Sequence, residues 1–223
     1  MIVVVDYHKG NLKSVERGIA AAGGEARITD DAALIARADA VVLPGVGAFA
    51  DAARTMEALG QTAVIRERIA AGVPFLGICL GMHLLFEEGV EGAPDEDDEA
   101  STHNARGLAV LPGVVGAMPK VDAAGRAYKV PHVGWNAVGP TGGAQSFASP
   151  LFAGIAPGEF FYFTHGFIAP EGPFAIGETT HSVTFPSAVQ YGETAFGVQF
   201  HPEKSSDAGA QLLRNFVNIV KGA

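Results

Sequence analysis

The residue best placed for chemistry is a cysteine between two glycines, in the segment 77–81, Gly-Ile-Cys-Leu-Gly. An apolar run at 74–79 predicts a strand before it, and the spacing at 80–87 predicts a helix after it. This is the cysteine form of the turn that carries a nucleophile on a strained backbone between strand and helix. A helix start would favour a negative sulfur on Cys79 and leave the Leu80 N–H free for an oxyanion. A buried, inert cysteine is the alternative.

A thiolate nucleophile needs a base, and the base needs a group that orients it. Of the seven histidines, His201 stands out because it follows an apolar run at 196–200 and precedes Glu203 by two residues. The carboxylate can hold one ring nitrogen while the other nitrogen faces the sulfur. Alone, His-Pro-Glu is more often a surface turn. Together with the cysteine turn, it predicts a Cys79–His201–Glu203 triad.

Strand and helix patterns alternate along the first 90 residues and would position these groups. Apolar runs at 2–5 and 40–43, with a candidate strand at 26–29, predict a parallel sheet with helices on both faces. Shorter runs between glycine and proline turns, from 107 to 203, predict added antiparallel strands. The fold class is therefore α/β, with an open, mostly parallel twisted sheet. Catalytic groups gather at the carboxyl ends of such strands, where Cys79 and His201 both lie.

Composition limits the other possibilities. The 223 residues carry 24 acidic and 15 basic side chains, a net charge of −9, which argues against nucleic-acid or anionic-membrane binding. One cysteine excludes an intramolecular disulfide and argues against a Cys-based metal site. No apolar run approaches the ~20 residues of a membrane helix, and we expect a cytoplasmic protein. The length predicts one domain, 1–223, with a mobile acidic loop at 89–106.

The two catalytic segments resemble the class I (triad) glutamine amidotransferases. Further segments are similar to one family among them, the glutaminase subunits of imidazole glycerol phosphate synthase in histidine biosynthesis. These are Asp-Tyr at 6–7 with Gly-Asn-Leu at 10–12, LPGVGAF at 43–49, VPHVGWN at 130–136, FYFTH at 161–165 and GVQFHPEKS at 197–205. The resemblance covers the chain outside 89–104. The segments at 43–49 and 130–136 are the most family-specific.

The resemblance implies a reaction and a partner. Cys79 would attack the amide of L-glutamine to form a thioester, with His201 as base and acid and Glu203 as its orienting group. Ammonia would pass to a (β/α)₈-barrel cyclase subunit in a heterodimer, and no cofactor is implied. Around these residues the resemblance implies an oxyanion hole at Leu80, Val46 and Gly47, substrate contacts at Gly47, His83, Gly166 and Phe167, and a partner surface at Asn11, Trp135, Tyr162 and Lys204.

Three positions depart from the family pattern. His83 stands where the superfamily usually has glutamine, and it would add a group that titrates near pH 6–7 beside the site. His8 stands where the family usually has glycine, at a turn expected to face the partner. Gly166 and Phe167 replace residues with hydroxyl groups.

Alternatives remain open at this point. The chain could serve a different synthase partner, or be a binding subunit of reduced activity, since His83, Gly166 and Phe167 lie around the substrate. Trp135 and Tyr162 could be core aromatics, and Lys204 could be an ordinary solvated lysine.

Overall fold

The computed structural model describes residues 1–96 and 98–222. The helices are α1 (Leu12–Ala21), α2 (Ala32–Ile35), α3 (Phe49–Ala58), α4 (Gln61–Ala70), α5 (Leu80–His83) and α6 (Ser206–Lys221). The strands are β1 (Ile2–Val5), β2 (Ala26–Thr29), β3 (Ala40–Gly45), β4 (Phe75–Cys79), β5 (Phe86–Gly89), β6 (Ala105–Arg106), β7 (Leu111–Ala117), β8 (His132–Val138), β9 (Glu159–His165), β10 (Phe167–Ile168), β11 (Ala175–Thr180), β12 (Thr184–Tyr191) and β13 (Ala195–Val198).

A seven-stranded sheet forms the centre, in the order β11-β12-β13-β4-β3-β1-β2. The five strands from β13 to β2 are parallel, and β12 and β11 extend the sheet in antiparallel pairs. Every residue of β1, β3, β4 and β13 is buried, as expected for parallel strands covered on both faces. The predicted α/β class, with added antiparallel strands, is confirmed.

Side chains of the central strands alternate between two hydrophobic cores. On β1, Val4 contributes to a core shared with α1 and α6, while Val3 and Val5 contribute to the opposite core, shared with α2, α3 and α4. Because successive side chains of a strand point to opposite faces, one apolar run can serve both cores. The arrangement fixes the central strands, whose carboxyl ends carry the candidate catalytic residues.

The helix expected at 80–87 is wrong beyond its first turn. Helix α5 ends at His83, and Phe86 begins β5, which joins a four-stranded sheet in the order β10-β7-β5-β6. The apolar spacing fits a helix, but Phe86 is fully buried against Phe174, with their ring centroids 5.2 Å apart. Pairing with β7 and this packing outweigh the local helical preference.

The acidic segment is anchored at both ends. Val90 and Ala93 are buried, and the carbonyl of Glu91 accepts a 3.0 Å hydrogen bond from the Ala50 N–H. The Asn104 amide donates to the carbonyl of Glu99 at 2.9 Å. Within residues 1–96 and 98–222, no helix has both the length and the apolar character to cross a membrane.

Candidate active site

Cys79 lies on a strained turn between β4 and α5. Its φ of 54° is in the left-handed region, which a residue with a side chain adopts only at a cost. The flanking glycines are required by close backbone packing. A Cβ on Gly77 would overlap the carbonyl of Gly81, and a Cβ on Gly81 would overlap the carbonyl of Leu43 in β3. The glycine–cysteine–glycine pattern therefore forms the sharp strand-to-helix turn that the sequence predicts.

His201 and Glu203 form a buried pair after β13. The Nδ1 atom of His201 lies 2.9 Å from Oε1 of Glu203, and the two side chains are 4% and 2% exposed. The backbone of this segment is held as well: the N–H of His201 donates to the Tyr162 carbonyl at 2.9 Å, and the Ser205 hydroxyl donates to the His201 carbonyl at 2.6 Å. Nδ1 thus carries the proton toward Glu203, which leaves Nε2 for the sulfur.

The pKa of His201 is raised to about 9. Burial alone would lower it, but the neighbouring Cys79 and Glu203 stabilise the protonated ring more than burial disfavours it. The Nε2 atom of His201 is buried and has no hydrogen-bond partner among the described residues. Cys79 is nevertheless close enough to raise the pKa of the ring. At neutral pH the arrangement favours a protonated His201 ring beside the sulfur.

Replacing Glu203 with glutamine is expected to shift the alkylation of Cys79 to higher pH. Without the carboxylate, His201 loses its proton at lower pH, and the sulfur therefore keeps its own proton to higher pH. Iodoacetamide reactivity measured from pH 5 to 10 should show its midpoint raised by about one pH unit. The exposed Glu193 offers the control variant E193Q, which should keep the wild-type midpoint; an unchanged midpoint in E203Q would remove Glu203 from the site.

A pocket of about 300 Å³ opens beside the sulfur, at the small end of the range for small-molecule sites. Gly45 pairs with Cys79 in the parallel register, which brings the end of β3 to this pocket. Gly47 has a φ of +97°, which only glycine adopts easily. All residues expected to bind the substrate or the oxyanion line this pocket, whose walls are Val46, Gly47, Cys79, Leu80, His83, Glu91, Pro131, Thr164, His165, Gly166 and Phe167.

His83 differs from its expected behaviour. Its side chain is buried, and burial lowers its pKa to about 4, against a smaller opposing effect of a hydrogen bond with Gln199. The Nε2 atom lies 2.6 Å from Oε1 of Gln199. His83 is therefore neutral at physiological pH, and the expected group titrating at pH 6–7 is absent at this position.

Sequence reasoning missed Glu91 and Gln199. Burial raises the pKa of Glu91 to about 7, partly offset by the Phe49 N–H that donates to its carboxylate, and the charge of Glu96 raises it further. Gln199 is fully buried, with Nε2 3.8 Å from the sulfur of Cys79. No pattern distinguishes Glu91 from its acidic neighbours. Gln199 stands two residues before His201, and that proximity was the available signal.

The other departures lie at the surface and at the pocket. His8 has a φ of 66°, which explains why a glycine suits this turn, and its exposed ring pairs with Asp30 at 3.2 Å. Gly166 and Phe167 line the pocket without contributing hydroxyl groups.

Three of the four expected partner-facing residues are in contact. Trp135 on β8 pairs with Tyr162 on β9, with ring centroids 6.2 Å apart, and the Lys204 Nζ lies 5.8 Å from the Tyr162 ring centroid. Trp135 is 52% exposed, which is against a core role. Asn11 is outside this chain of contacts; it is exposed and precedes α1 without a side-chain capping bond.

Comparisons with known proteins place the chain in a known family. The family model for class-I glutamine amidotransferases matches residues 3–220. The imidazole glycerol phosphate synthase subunit HisH of Moorella thermoacetica is 44% identical over 225 residues, with 100% of this chain and 96% of that protein covered. The HisH subunit of Syntrophotalea carbinolica is 41% identical over 219 residues, with 97% and 98% covered.

Solved structures share the fold at lower identity. A glutamine amidotransferase crystal structure has a TM-score of 0.70 at 17% identity, with both chains covered in full. The PurLQS structure from Thermotoga maritima has a TM-score of 0.67 at 16% identity, covering 98% of this chain and 97% of that one. The chain belongs to the class-I glutamine amidotransferases and, within them, to the family of the HisH subunits of imidazole glycerol phosphate synthase.

Proposed function

We propose that the chain, acting as one amidotransferase domain, hydrolyses L-glutamine to glutamate and ammonia as the glutaminase subunit of imidazole glycerol phosphate synthase. The observation that carries this proposal is the buried His201–Glu203 pair beside the strained Cys79 turn, in a chain about 40% identical to HisH subunits over its full length. Cys79, His201 and Glu203 are the proposed catalytic residues.

The proposed reaction proceeds through a thioester. The Cys79 thiolate attacks the side-chain carbonyl carbon of glutamine, and the tetrahedral intermediate carries its negative charge on oxygen. The carbon–nitrogen bond then breaks as the His201 imidazolium gives its proton to the nitrogen, which releases ammonia. His201 next removes a proton from water, whose oxygen attacks the thioester and releases glutamate and the thiolate. Glu203 keeps the ring oriented and stabilises its charge in each step.

The pocket offers groups suited to each part of glutamine. The Leu80 N–H at the start of α5 and the backbone of Val46 and Gly47 are the proposed oxyanion donors. The Glu91 carboxylate suits the α-ammonium group, whose positive charge would hold Glu91 ionised. Gly166 and Phe167 leave only backbone polar groups to contact the substrate at their positions.

The proposed partner is the (β/α)₈-barrel cyclase subunit, which would receive the ammonia. Strand β9 supports this assignment because it extends from the expected partner surface to the pocket beside Cys79. At one end of β9, Tyr162 contacts Trp135 and Lys204, and these three residues form a partially exposed cluster. Thr164 and His165, on the same strand, line the pocket. A partner bound on this cluster would contact Tyr162, two residues before Thr164 on the same strand. The Thr164 carbonyl lies 3.8 Å from the Cys79 sulfur.

The test is glutamine turnover with and without a cyclase subunit from a relative. The chain alone should release glutamate slowly, and the cyclase with its bound ligand should accelerate release roughly tenfold or more. Complementation of a histidine auxotroph lacking its own glutaminase subunit should succeed. Acceleration without complementation would point to another synthase partner. No turnover under either condition, together with no trapping of Cys79 by a glutamine-analogue electrophile, would contradict the proposed activity.

A further inference from the structure

We propose that His83 and Gln199 are a positioning pair for the nucleophile, in which His83 fixes the Gln199 amide so that its NH₂ group donates to the sulfur of Cys79. The inference deepens the proposed function, because it rests on Cys79 as the nucleophile. It adds a donor contact to the sulfur, separate from the His201–Glu203 pair and from the Thr164 carbonyl, which lies 3.8 Å from the sulfur.

The geometry is a short buried chain of contacts. Nε2 of His83 lies 2.6 Å from Oε1 of Gln199, and Nε2 of Gln199 lies 3.8 Å from Sγ of Cys79. His83 is 3% exposed and Gln199 is fully buried. The Gln199 backbone is fixed as well, since its N–H donates to the Ser187 carbonyl at 2.9 Å on the neighbouring strand β12. Both side chains are buried, and His83 also lines the pocket beside the sulfur.

Hydrogen-bond chemistry assigns a donor and an acceptor to each contact between His83, Gln199 and Cys79. With the Gln199 amide oxygen toward His83, that oxygen only accepts, so the ring proton of His83 lies on Nε2. A neutral imidazole has a single N–H, which is thereby used for Gln199. The opposite amide orientation would place its oxygen against the sulfur, where two acceptors meet when the sulfur is a thiolate. The proposed pair therefore joins the His83 tautomer protonated on Nε2 with the amide orientation that stabilises a negative sulfur.

The hydrogen bond to Gln199 limits the contacts that His83 can make with the substrate. With its proton committed to Gln199, only the Nδ1 lone pair remains, which accepts and does not donate. His83 therefore takes part in the pocket as an acceptor at most, and its main contribution is through Gln199.

The other titratable groups around the sulfur are the same in all variants that are compared below. Burial raises the pKa of Tyr7 and lowers the pKa of His165 to about 3, so both are neutral between pH 5 and 9. Glu91 has a pKa of about 7, and the His201–Glu203 pair is the remaining charged neighbour. All of these groups are retained in each variant.

The test measures the pH profile of Cys79 alkylation by iodoacetamide, with the full chain. Since Cys79 is the only thiol, the label reports on this position alone. Gln199→Leu and His83→Leu should each raise the midpoint by about 0.5 pH unit, which slows alkylation roughly threefold below the midpoint. His83→Gln can still donate to the Gln199 oxygen and should keep the wild-type midpoint. Gln190→Leu, on the outer part of β12, is the matched control.

The double variant H83L/Q199L decides between positioning and general loosening. If His83 acts through Gln199, the double variant should have the midpoint of Q199L alone. Full addition of the two shifts, or wild-type midpoints in both single variants, would overturn the proposal. Should Q199L melt below the assay temperature, Gln199→Met replaces it at similar length. Alkylation requires no glutamine, so a failed glutaminase assay and a failed positioning pair are distinguishable.

Discussion

Replacing Cys79 with alanine is expected to abolish glutamine hydrolysis, by at least about a thousandfold in kcat, with and without the proposed cyclase partner. The thioester cannot form without the sulfur, and no second thiol exists to replace it. Binding of glutamine should persist, since the pocket walls are unchanged apart from one atom. The melting temperature should change little, because alanine keeps the Cβ and the strained backbone of this position and loses only the sulfur.

The measurement is glutamate release together with thiol labelling. The wild-type chain should take up one equivalent of a glutamine-analogue electrophile, and C79A none. As a control, His103→Ala changes an exposed histidine that pairs with Asp95 at 2.9 Å, and its turnover should equal that of the wild-type chain. Full glutamate release by C79A, at any ratio of partner, would exclude the thioester route and with it the proposed nucleophile.

The proposed catalytic triad could be assembled from the sequence because its signals are local. The turn around Cys79 is encoded within five residues, and the orienting carboxylate of Glu203 lies two residues from His201. The carboxyl ends of β4 and β13 are neighbours in the central sheet, so a correct α/β prediction brings both segments together. Each step needs only strand order and short-range spacing.

Residues that depend on burial and distant pairing could not be predicted in the same way. His83 and Gln199 are 116 positions apart, and their contact exists only once α5 and β13 pack together. The raised pKa of Glu91 results from burial, which a run of acidic residues does not indicate. Likewise, the change from helix to strand at Phe86 depends on its partner β7, 25 or more residues further on. These features belong to tertiary packing.

Replacing Gly81 with alanine is expected to destabilise the fold by roughly 3 kcal/mol, because the new Cβ would overlap the Leu43 carbonyl in a central strand. In a chain of this size, that loss lowers the melting temperature by roughly 10 °C. The rate of glutamate release should fall by more than the loss of folded protein explains. Strand β3 ends at Gly45, opposite Cys79, so a displacement of β3 moves the proposed oxyanion donors away from the nucleophile.

Gly139 supplies the matched control for this steric argument. Its backbone conformation is ordinary, and a Cβ there would meet no atom within 4 Å of the described chain, so G139A should melt within about 2 °C of the wild-type protein. Glutamate release should be compared at a temperature well below every transition, which separates misplacement of the oxyanion donors from unfolding. If G81A melts with the wild-type protein and keeps its turnover, then α5 and β3 are not packed as tightly as the glycine pattern requires. A lowered melting temperature with full turnover would instead confine the role of Gly81 to stability.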